Sequence, residues 1–196
     1  MRYTSHLDVH RTWERTLRRA RLPLAYSQGF NKRPKINLAA ALPLGFTSSC
    51  EIVEFWLDSD PSKNEIESRL KEAAPPGIEI HTIKEIDLKA PKIPNLVDSA
   101  DYVVVLLDHV PDLDQRVSET LAAESLPRER RNKTYDLRPL IEYLRVVPTI
   151  EGTPVLEMRL AARHGATGRP EEALLALGIE PNSARIHREG LNLKTK

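Results

Sequence analysis

Cysteine, glycine and long apolar runs are scarce in this chain of 196 residues, and each scarcity excludes a class of protein. The single cysteine, Cys50, excludes an intramolecular disulfide, a four-cysteine zinc site and an iron–sulfur cluster held by this chain alone. The eight glycines form no G-x-G-x-x-G and no G-x-x-x-x-G-K pattern, which excludes the usual phosphate-binding loops. No apolar run approaches the roughly 18 residues of a membrane span, and the N-terminus lacks a signal-type apolar segment. We therefore expect a cytoplasmic protein with no membrane partner.

The charge of the chain is asymmetric, although its net value is only +1. Residues 1–35 contain nine Lys and Arg but only two acidic residues, which gives this segment a charge of +7 and the remainder −6. Such a split is typical of a surface for a polyanion on an otherwise acidic scaffold. The alternative is a solvated face without a ligand, and the clustering favours nucleic acid. Both interpretations are equally supported for a second, smaller basic excess, at Arg128, Arg130, Arg131, Lys133 and Arg138.

Residues 5–21 show the pattern of an amphipathic helix. Ser5 and Asp8 predict its start, as N-cap and first-turn carboxylate, and Pro23 disfavours its continuation past Arg21. The apolar residues at helical spacing, predicted to face the core, are Leu7, Trp13, Leu17 and Ala20. The opposite side of the same helix carries Arg11, Arg15, Arg18 and Arg19.

Only two of these four arginines have a carboxylate at the spacing of a helical ion pair. Asp8 lies three residues before Arg11, and Glu14 lies four residues before Arg18. The remaining two, Arg15 and Arg19, have no such partner in the helix and are predicted to stay available for a ligand.

The segment at residues 26–35 predicts a binding loop, marked by Gly29, Asn31 and Pro34. Its aromatic rings offer faces for unpaired bases, its amides can pair with base edges, and its cations can contact phosphates. For Tyr26 or Phe30 alone, packing against the core is the simpler interpretation; next to an arginine-rich helix, the whole segment favours binding. The predicted nucleic-acid-binding residues are Ser5, His6, Arg11, Arg15, Arg18, Arg19, Tyr26, Gln28, Phe30, Asn31, Lys32, Arg33, Lys35 and Lys133.

Histidine chemistry is weakly indicated. Of six scattered histidines, only His6 and His10 lie at i, i+4, and packing of His10 beside Trp13 is favoured over metal binding. A metal-independent ribonuclease could use His6 as a base among arginines. Because no second acid–base group lies at a defined spacing, we favour a phosphate-binding or capping role for His6. The sequence thus predicts no metal, no cofactor and no catalytic residue.

The order of predicted elements indicates an α+β fold. The first half shows a helix at 5–21, strands at 36–42 and 50–57, a helix opened by the Ser62–Glu65 capping box, and a strand at 78–86. The second half shows a strand at 102–107, a helix capped by Asp112, an extended basic segment at 126–135, a hairpin around Glu151–Gly152, a helix from Pro170 to Gly178, and a strand at 184–188. We expect two tandem ferredoxin-like (βαββαβ) domains, at 1–87 and 101–196 with a linker at 88–100, the first domain lacking its first strand.

Several motifs resemble one known family over nearly the whole chain. They are Arg-Tyr-Thr-Ser-His-Leu-Asp at 2–8, Glu-Arg-Thr-Leu-Arg-Arg-Ala at 14–20, Leu-Pro-Leu-Ala-Tyr-Ser-Gln-Gly-Phe-Asn at 22–31, Pro-Lys at 34–35, Leu-Pro-Leu-Gly at 42–45, Lys-Thr-Tyr-Asp-Leu-Arg-Pro at 133–139 and Arg-Pro-Glu-Glu-Ala-Leu at 169–174. Together they resemble the radical SAM-linked protein family, a domain of unknown function. The chain departs from that family where the strand expected before residue 2 is missing and where His10 replaces an apolar residue.

The resemblance implies a partner, because the family's domain is fused to or encoded beside a radical SAM protein with a cobalamin-binding-like domain. A radical SAM enzyme needs three cysteines for its cluster, so this chain can only assist one.

A weaker similarity in layout, to CRISPR-repeat processing endoribonucleases, implies RNA-binding ancestry by fold analogy. Their glycine-rich C-terminal loop is absent; residues 164–168 are its nearest approach. We therefore predict an RNA-binding accessory module for tRNA or rRNA, with a protein–protein adaptor and a His6-dependent endoribonuclease as alternatives.

Overall fold

A computed structural model describes residues 1–130, 132–147 and 153–194. The chain forms two compact units, one built from Met1–Gly45 and Glu51–Asn95 and the other from Phe46–Cys50 and Leu96–Lys196. Helices and strands are mixed in the chain, so the predicted α+β class is confirmed. The elements are α1 (His6–Arg19), β1 (Ile36–Leu38), β2 (Thr47–Ser48), β3 (Val53–Phe55), α2 (Lys63–Ala73), α3 (Ile93–Leu96), β4 (Val97–Leu106), α4 (Leu113–Ala122), β5 (Pro127–Arg130), β6 (Lys133–Asp136), β7 (Ile141–Val147), β8 (Val155–Arg163), β9 (Ala166–Thr167), α5 (Pro170–Ala176) and β10 (Ala184–Leu193).

The first unit packs α1 and α2 against a two-stranded antiparallel sheet of β1 and β3. The predicted capping of both helices is confirmed: the hydroxyl Oγ of Ser5 accepts from the Asp8 N–H, and that of Ser62 accepts from the Glu65 N–H. The core of this unit is apolar because both helices and the chain around the sheet turn their aliphatic residues inward. Its buried members are Leu17, Ala20, Leu22, Leu24, Ile36, Leu70 and Ala73.

Several details of the first unit differ from the sequence prediction. The strands predicted at 36–42 and 50–57 are shorter, at Ile36–Leu38 and Val53–Phe55. Leu7, placed on the core face, is 69% exposed, because it lies in the first turn of α1 at the end remote from the buried residues Thr16 and Leu17. The segment 78–86 forms no strand; its Ile80 and Ile83 pack against the core from extended chain that pairs with no other strand. The first unit therefore contains the α-β-β-α part of the predicted order.

The second unit follows the β-α-β-β-α-β order of a ferredoxin-like unit in β4, α4, β7, β8, α5 and β10. Its main sheet has the order β2-β10-β4-β8-β7, in which β2 runs parallel to β10 and the other neighbours are antiparallel. Alternate residues of β4 are buried in the core, among them Tyr102, Val104 and Leu106. The predicted helix between Pro170 and Gly178 is confirmed, with Gly178 at a φ of 71°.

The segment predicted as a linker, 88–100, is more ordered than expected. It contains α3 and the first part of β4, where Ser99 pairs with Ala161 and Asn192. Ser99 and Ala100 are small enough to occupy buried positions in β4, between its two neighbouring strands. The extended basic segment is a hairpin of β5 and β6, and Arg131 beside its turn lies outside the described residues.

The predicted hairpin of the second unit is present as β7 and β8, while its turn around Glu151–Gly152 lies outside the described residues. Asp112 begins α4 as predicted, although at a φ of 56° and without a side-chain cap bond. Within the described parts of the chain, every helix is too short or too polar to cross a lipid bilayer.

Candidate nucleic-acid interface

The start of α1 is fixed by the side chains of Ser5 and Asp8. The Ser5 hydroxyl accepts from the Asp8 N–H at 3.2 Å and donates to the Asp8 carboxylate at 2.7 Å. This hydrogen bond from Ser5 is the main cause that lowers the pKa of Asp8, and the neighbouring Arg11 and Arg15 lower it further. The negative charge of Asp8 in the first turn also interacts favourably with the positive end of the helix dipole. His6, the first residue of α1, is exposed at this end.

The four predicted arginines of α1 share its outer side. At about 100° per residue, Arg11, Arg15, Arg18 and Arg19 fall within roughly a quarter to a third of the helix circumference, and all four are exposed. The fully buried Leu17 lies on the opposite side. The helix therefore separates a cationic face from a core-facing one, as its sequence predicts.

The ion pairs of this face also match the prediction. Arg11 Nη1 lies 3.2 Å from Asp8 Oδ1, and Arg18 Nη2 lies 2.8 Å from Glu14 Oε1. Arg15 and Arg19 have no carboxylate within ion-pair distance anywhere in the described chain. Both pairs are exposed, so they orient the side chains more than they stabilise the helix.

Residues 26–35, hereafter the tip loop, form a narrow hairpin rather than an irregular loop. The Ser27 N–H donates to the Arg33 carbonyl at 2.8 Å, and the Lys35 N–H donates to the Ala25 carbonyl at 2.8 Å. The Arg33 N–H also donates to the Ser27 hydroxyl at 3.0 Å. Gly29 adopts a φ of +136°, a conformation that strongly favours glycine. These bonds fix the arms of the loop and project residues 28–32 outward.

Phe30, at the end of the tip loop, is fully exposed, at 103% of its reference area. The interpretation that Phe30 pins the loop to the core is therefore wrong, while Tyr26 at 36% exposure keeps part of its ring against the protein. Gln28 and Asn31 beside it are also exposed. The exposed cations Lys32, Arg33 and Lys35 have no carboxylate within ion-pair distance among the described residues.

The helix and the tip loop are anchored in one core. Leu17 of α1 and Ala20, which caps the end of that helix, belong to the same buried cluster as Leu24 and Ile36, which flank the two ends of the loop. The first unit thus holds 13 of the 14 predicted site residues on two consecutive elements of one packed body. The remaining one, Lys133, lies in the second unit on β6.

The sequence prediction included Lys133 among the binding residues, whereas Arg128 and Arg130 of the same hairpin were named only as part of the second basic excess. Arg130 is the direct partner of Lys133 across the ladder, and Arg128 is the partner of Tyr135. The signal was the period of two in β5, where Arg128 and Arg130 flank Glu129. Among the described residues, no group of three or more His, Cys, Asp or Glu side chains is placed to hold a metal ion.

Comparisons with known proteins place these features in context. The model of a family described as an uncharacterized protein conserved in bacteria (DUF2344) matches residues 1–170. No curated protein matches the chain significantly. A solved structure described as the crystal structure of a Cbf5-Nop10-Gar1 complex is similar, with 12% identity and a TM-score of 0.51. The alignment covers 95% of this chain but 45% of that one, so this chain spans less than half its length. At such low identity the likeness concerns the fold alone.

Proposed function

The chain belongs to this bacterial family, DUF2344, and on that premise we propose that it is an RNA-binding accessory module acting with a radical SAM protein. The RNA is a structured one, tRNA or rRNA, held by α1 and the tip loop. In this proposal the loop contacts unpaired bases and the helix contacts phosphates.

The exposure of Phe30 is the observation that carries the proposal. A phenylalanine ring fully exposed to water contributes no burial to the fold, yet the hydrogen-bonded arms of the tip loop present it at their outer end. Stacking of an unpaired base on such a ring is worth about 1–3 kcal/mol and tolerates any base. Because the arms are already hydrogen-bonded, little conformational entropy is lost on binding.

The unpaired cations support the same conclusion. Arg15 and Arg19 on α1, with Lys32, Arg33 and Lys35 on the tip loop, have no carboxylate partner among the described residues. A cation without a protein partner can neutralise a phosphate and release its counterion, without first breaking an ion pair. Phosphate contacts of this kind position a nucleic acid, and base stacking at the tip then selects unpaired segments.

The radical SAM partner enters the proposal through the motif resemblance, most specifically along residues 5–45. Cys50 is the only cysteine, so a cluster-based radical reaction would need the cysteines of the partner. In this arrangement the chain supplies RNA positioning, and the partner with its cobalamin-binding-like domain supplies the chemistry.

Filter binding of total cellular RNA tests the proposal. We expect retention at low salt and a steep loss of affinity as the salt concentration rises, because the contacts are mainly to phosphates. Failure to retain RNA at low salt would overturn the proposal. If the bound RNA is recovered intact, the protein binds RNA without cleaving it. If the RNA is cut, and a His6→Ala variant still binds but no longer cuts, the endoribonuclease alternative is supported.

The variant Phe30→Ala tests the tip loop. We expect it to weaken binding of an RNA with an unpaired loop by about 1–3 kcal/mol and to leave binding of a fully paired duplex nearly unchanged. The matched control is Tyr3→Ala, which removes another exposed aromatic ring of the same unit, at 76% exposure. Equal losses for the two variants, or for the two RNAs, would contradict base stacking at Phe30.

The adaptor function makes a different prediction for the same cations. If they bind an acidic face of the partner protein, the partner should be released by Arg15→Glu and displaced by RNA. If the partner binds elsewhere, capture of the radical SAM protein should be insensitive to both.

A further inference from the structure

The hairpin of β5 and β6 separates its charges by face. Its register pairs Arg128 with Tyr135, Glu129 with Thr134, and Arg130 with Lys133. Directly paired side chains project to the same side of a ladder, and successive residues project to opposite sides. One side, hereafter the basic face, therefore carries Arg128, Arg130, Lys133 and Tyr135, while the other carries Glu129 and Thr134.

The basic face places two positive charges directly opposite each other. Arg130 and Lys133 are cross-strand partners, both are exposed, and neither has a carboxylate within ion-pair distance among the described residues. Like charges in this position repel each other and destabilise a two-stranded ladder. A bound anion between them would remove that repulsion.

Next to Arg128, the basic face is bordered by Arg169, which precedes α5, and by Glu172, which lies within α5. Arg128 Nε lies 3.8 Å from Glu172 Oε2, and Arg128 Nη1 donates to the Pro127 carbonyl at 3.2 Å. The buried Nε atoms of Arg128 and Arg169 have no hydrogen-bond partner among the described residues. Burial, together with Glu172, raises the pKa of Tyr135, so its phenol remains a neutral hydrogen-bond donor at physiological pH. The positive charges of Arg169, Arg130 and Arg128 act on the pKa of Tyr135 in the opposite direction.

The base of the hairpin is fixed by hydrogen bonds of Asp136 to the backbone on both sides. The Asp136 carboxylate accepts from the Leu126 N–H at 2.7 Å and from the Arg138 N–H at 2.9 Å. Arg138 donates to the carbonyls of Leu121 and Ile141, so it serves the backbone rather than a ligand. The residues of the predicted basic cluster therefore have two roles. Arg138 binds backbone carbonyls, whereas Arg128, Arg130 and Lys133 lie on the basic face.

We propose that the basic face of the β5–β6 hairpin binds the phosphate backbone of the RNA, in addition to the contact made by the first unit. This inference rests on the proposed function, because it takes RNA as the polyanion. A two-stranded ribbon fits the major groove of DNA, but the major groove of A-form RNA is too narrow to admit it. The contact is therefore with phosphates and carries no sequence preference.

The double variant Arg130→Ala/Lys133→Ala in the full chain tests this inference with two RNA hairpins of unrelated sequence. Removal of two phosphate contacts should make the slope of log affinity against log salt shallower by about 1.4 to 1.8, equally for both RNAs. Arg130→Gln/Lys133→Gln is a second version that keeps more of the side-chain length. Circular dichroism and thermal unfolding check that the variants remain folded.

Glu129→Lys is the matched control, because it adds a cation on the opposite face of the same hairpin. We expect it to leave the salt slope unchanged. A slope that steepens in Glu129→Lys as much as it flattens in the double variant would show a net-charge effect and overturn the inference. An unchanged slope in the double variant would overturn it as well.

Failure of the inference can be distinguished from failure of the proposed function. If the unaltered protein retains no RNA, the proposed function fails and the inference fails with it. If RNA binds and Phe30→Ala weakens it while the hairpin variants do not, only the inference fails. Loss of binding to the radical SAM protein, with RNA binding intact, would assign the basic face to a protein partner and reject the phosphate assignment.

Discussion

The arginines of α1 and those of strands β7 and β8 differ in what surrounds them. On α1, Arg15 and Arg19 have no carboxylate within ion-pair distance in the described chain. In the second unit, Arg145 is bound to Glu157, Arg159 to Asp101, and Arg163 to both Asp98 and Glu142. Both regions are rich in arginine, but only the first has charge left for a ligand. The ion-pair state of an arginine, rather than the number of arginines, locates a surface for a polyanion.

The origin of the difference is geometric. A helix pairs only residues three or four positions apart, so Arg15 and Arg19, without an acidic residue at that spacing, stay unpaired. A sheet brings together residues that are distant in sequence: Asp101 on β4 receives Arg159 from β8 at 2.6 Å and Asn192 from β10 at 2.9 Å. The hydrogen bond from Arg159 to Asp101 and the charge of that carboxylate raise the pKa of the arginine.

The strongest test of this comparison removes two arginines from each region in a pair of matched variants. We expect Arg15→Ala/Arg19→Ala to lower RNA affinity roughly 25- to 60-fold at 0.1 M salt, since two phosphate contacts are lost. Its thermal stability should change little, because both side chains are exposed. Arg145→Ala/Arg159→Ala, with the same change in net charge, should leave RNA affinity unchanged. Equal losses of affinity in the two variants would break the comparison.

A weaker effect, on stability, is expected in the second unit. Arg159→Ala leaves Asp101 with Asn192 but without its cation, and should lower the free energy of unfolding by about 0.5–1 kcal/mol, a modest value because the pair is partly exposed. Urea unfolding measures it. Arg185→Ala, an exposed arginine of neighbouring β10 with no ion pair among the described residues, should show no change. A loss for Arg185→Ala of the same size would indicate that net charge, and not the pair, matters.

The smallest effect concerns pH at the start of α1. The pKa of Asp8 in the folded chain lies below its ordinary value of 3.8, so its contribution to stability is present above that value. This contribution should be lost as the pH falls below 3.8 and through the lowered folded pKa. Thermal unfolding at pH 5 and at pH 3 should show this loss, and Asp8→Asn should show less of it. An equal pH dependence in Asp8→Asn would assign the loss to other carboxylates.

Local signals in the sequence were sufficient for most of α1, although not for the exposed Leu7 in its first turn. The pairs Asp8–Arg11 and Glu14–Arg18, the N-cap at Ser5 and the buried position of Leu17 all follow from spacing within one helix. The helix between Pro170 and Gly178 is predicted equally well, since both residues act through their own backbone conformations.

Features that depend on a distant partner could not be predicted. The alternation at 78–86 indicates which side chains turn inward, and Ile80 and Ile83 do so, but it does not show whether a neighbouring strand is present. The exposure of Phe30 was also undetermined, because an aromatic ring in a loop is compatible with both packing and presentation. The basic face of the β5–β6 hairpin required the register of Arg130 with Lys133.

The short strand β2 has a consequence for dissecting this protein. Residues 46–50 belong to the second unit, where Thr47 and Ser48 pair with His187 and Arg188 of β10. His187 is further hydrogen-bonded to the side chains of Thr47 and Ser49. A cut after residue 95 would leave the N-terminal fragment with an orphaned strand and the C-terminal fragment with an open sheet edge. Truncation mapping at that boundary would thus damage both fragments, and point substitutions in the intact polypeptide are the appropriate means of assigning activities to each part.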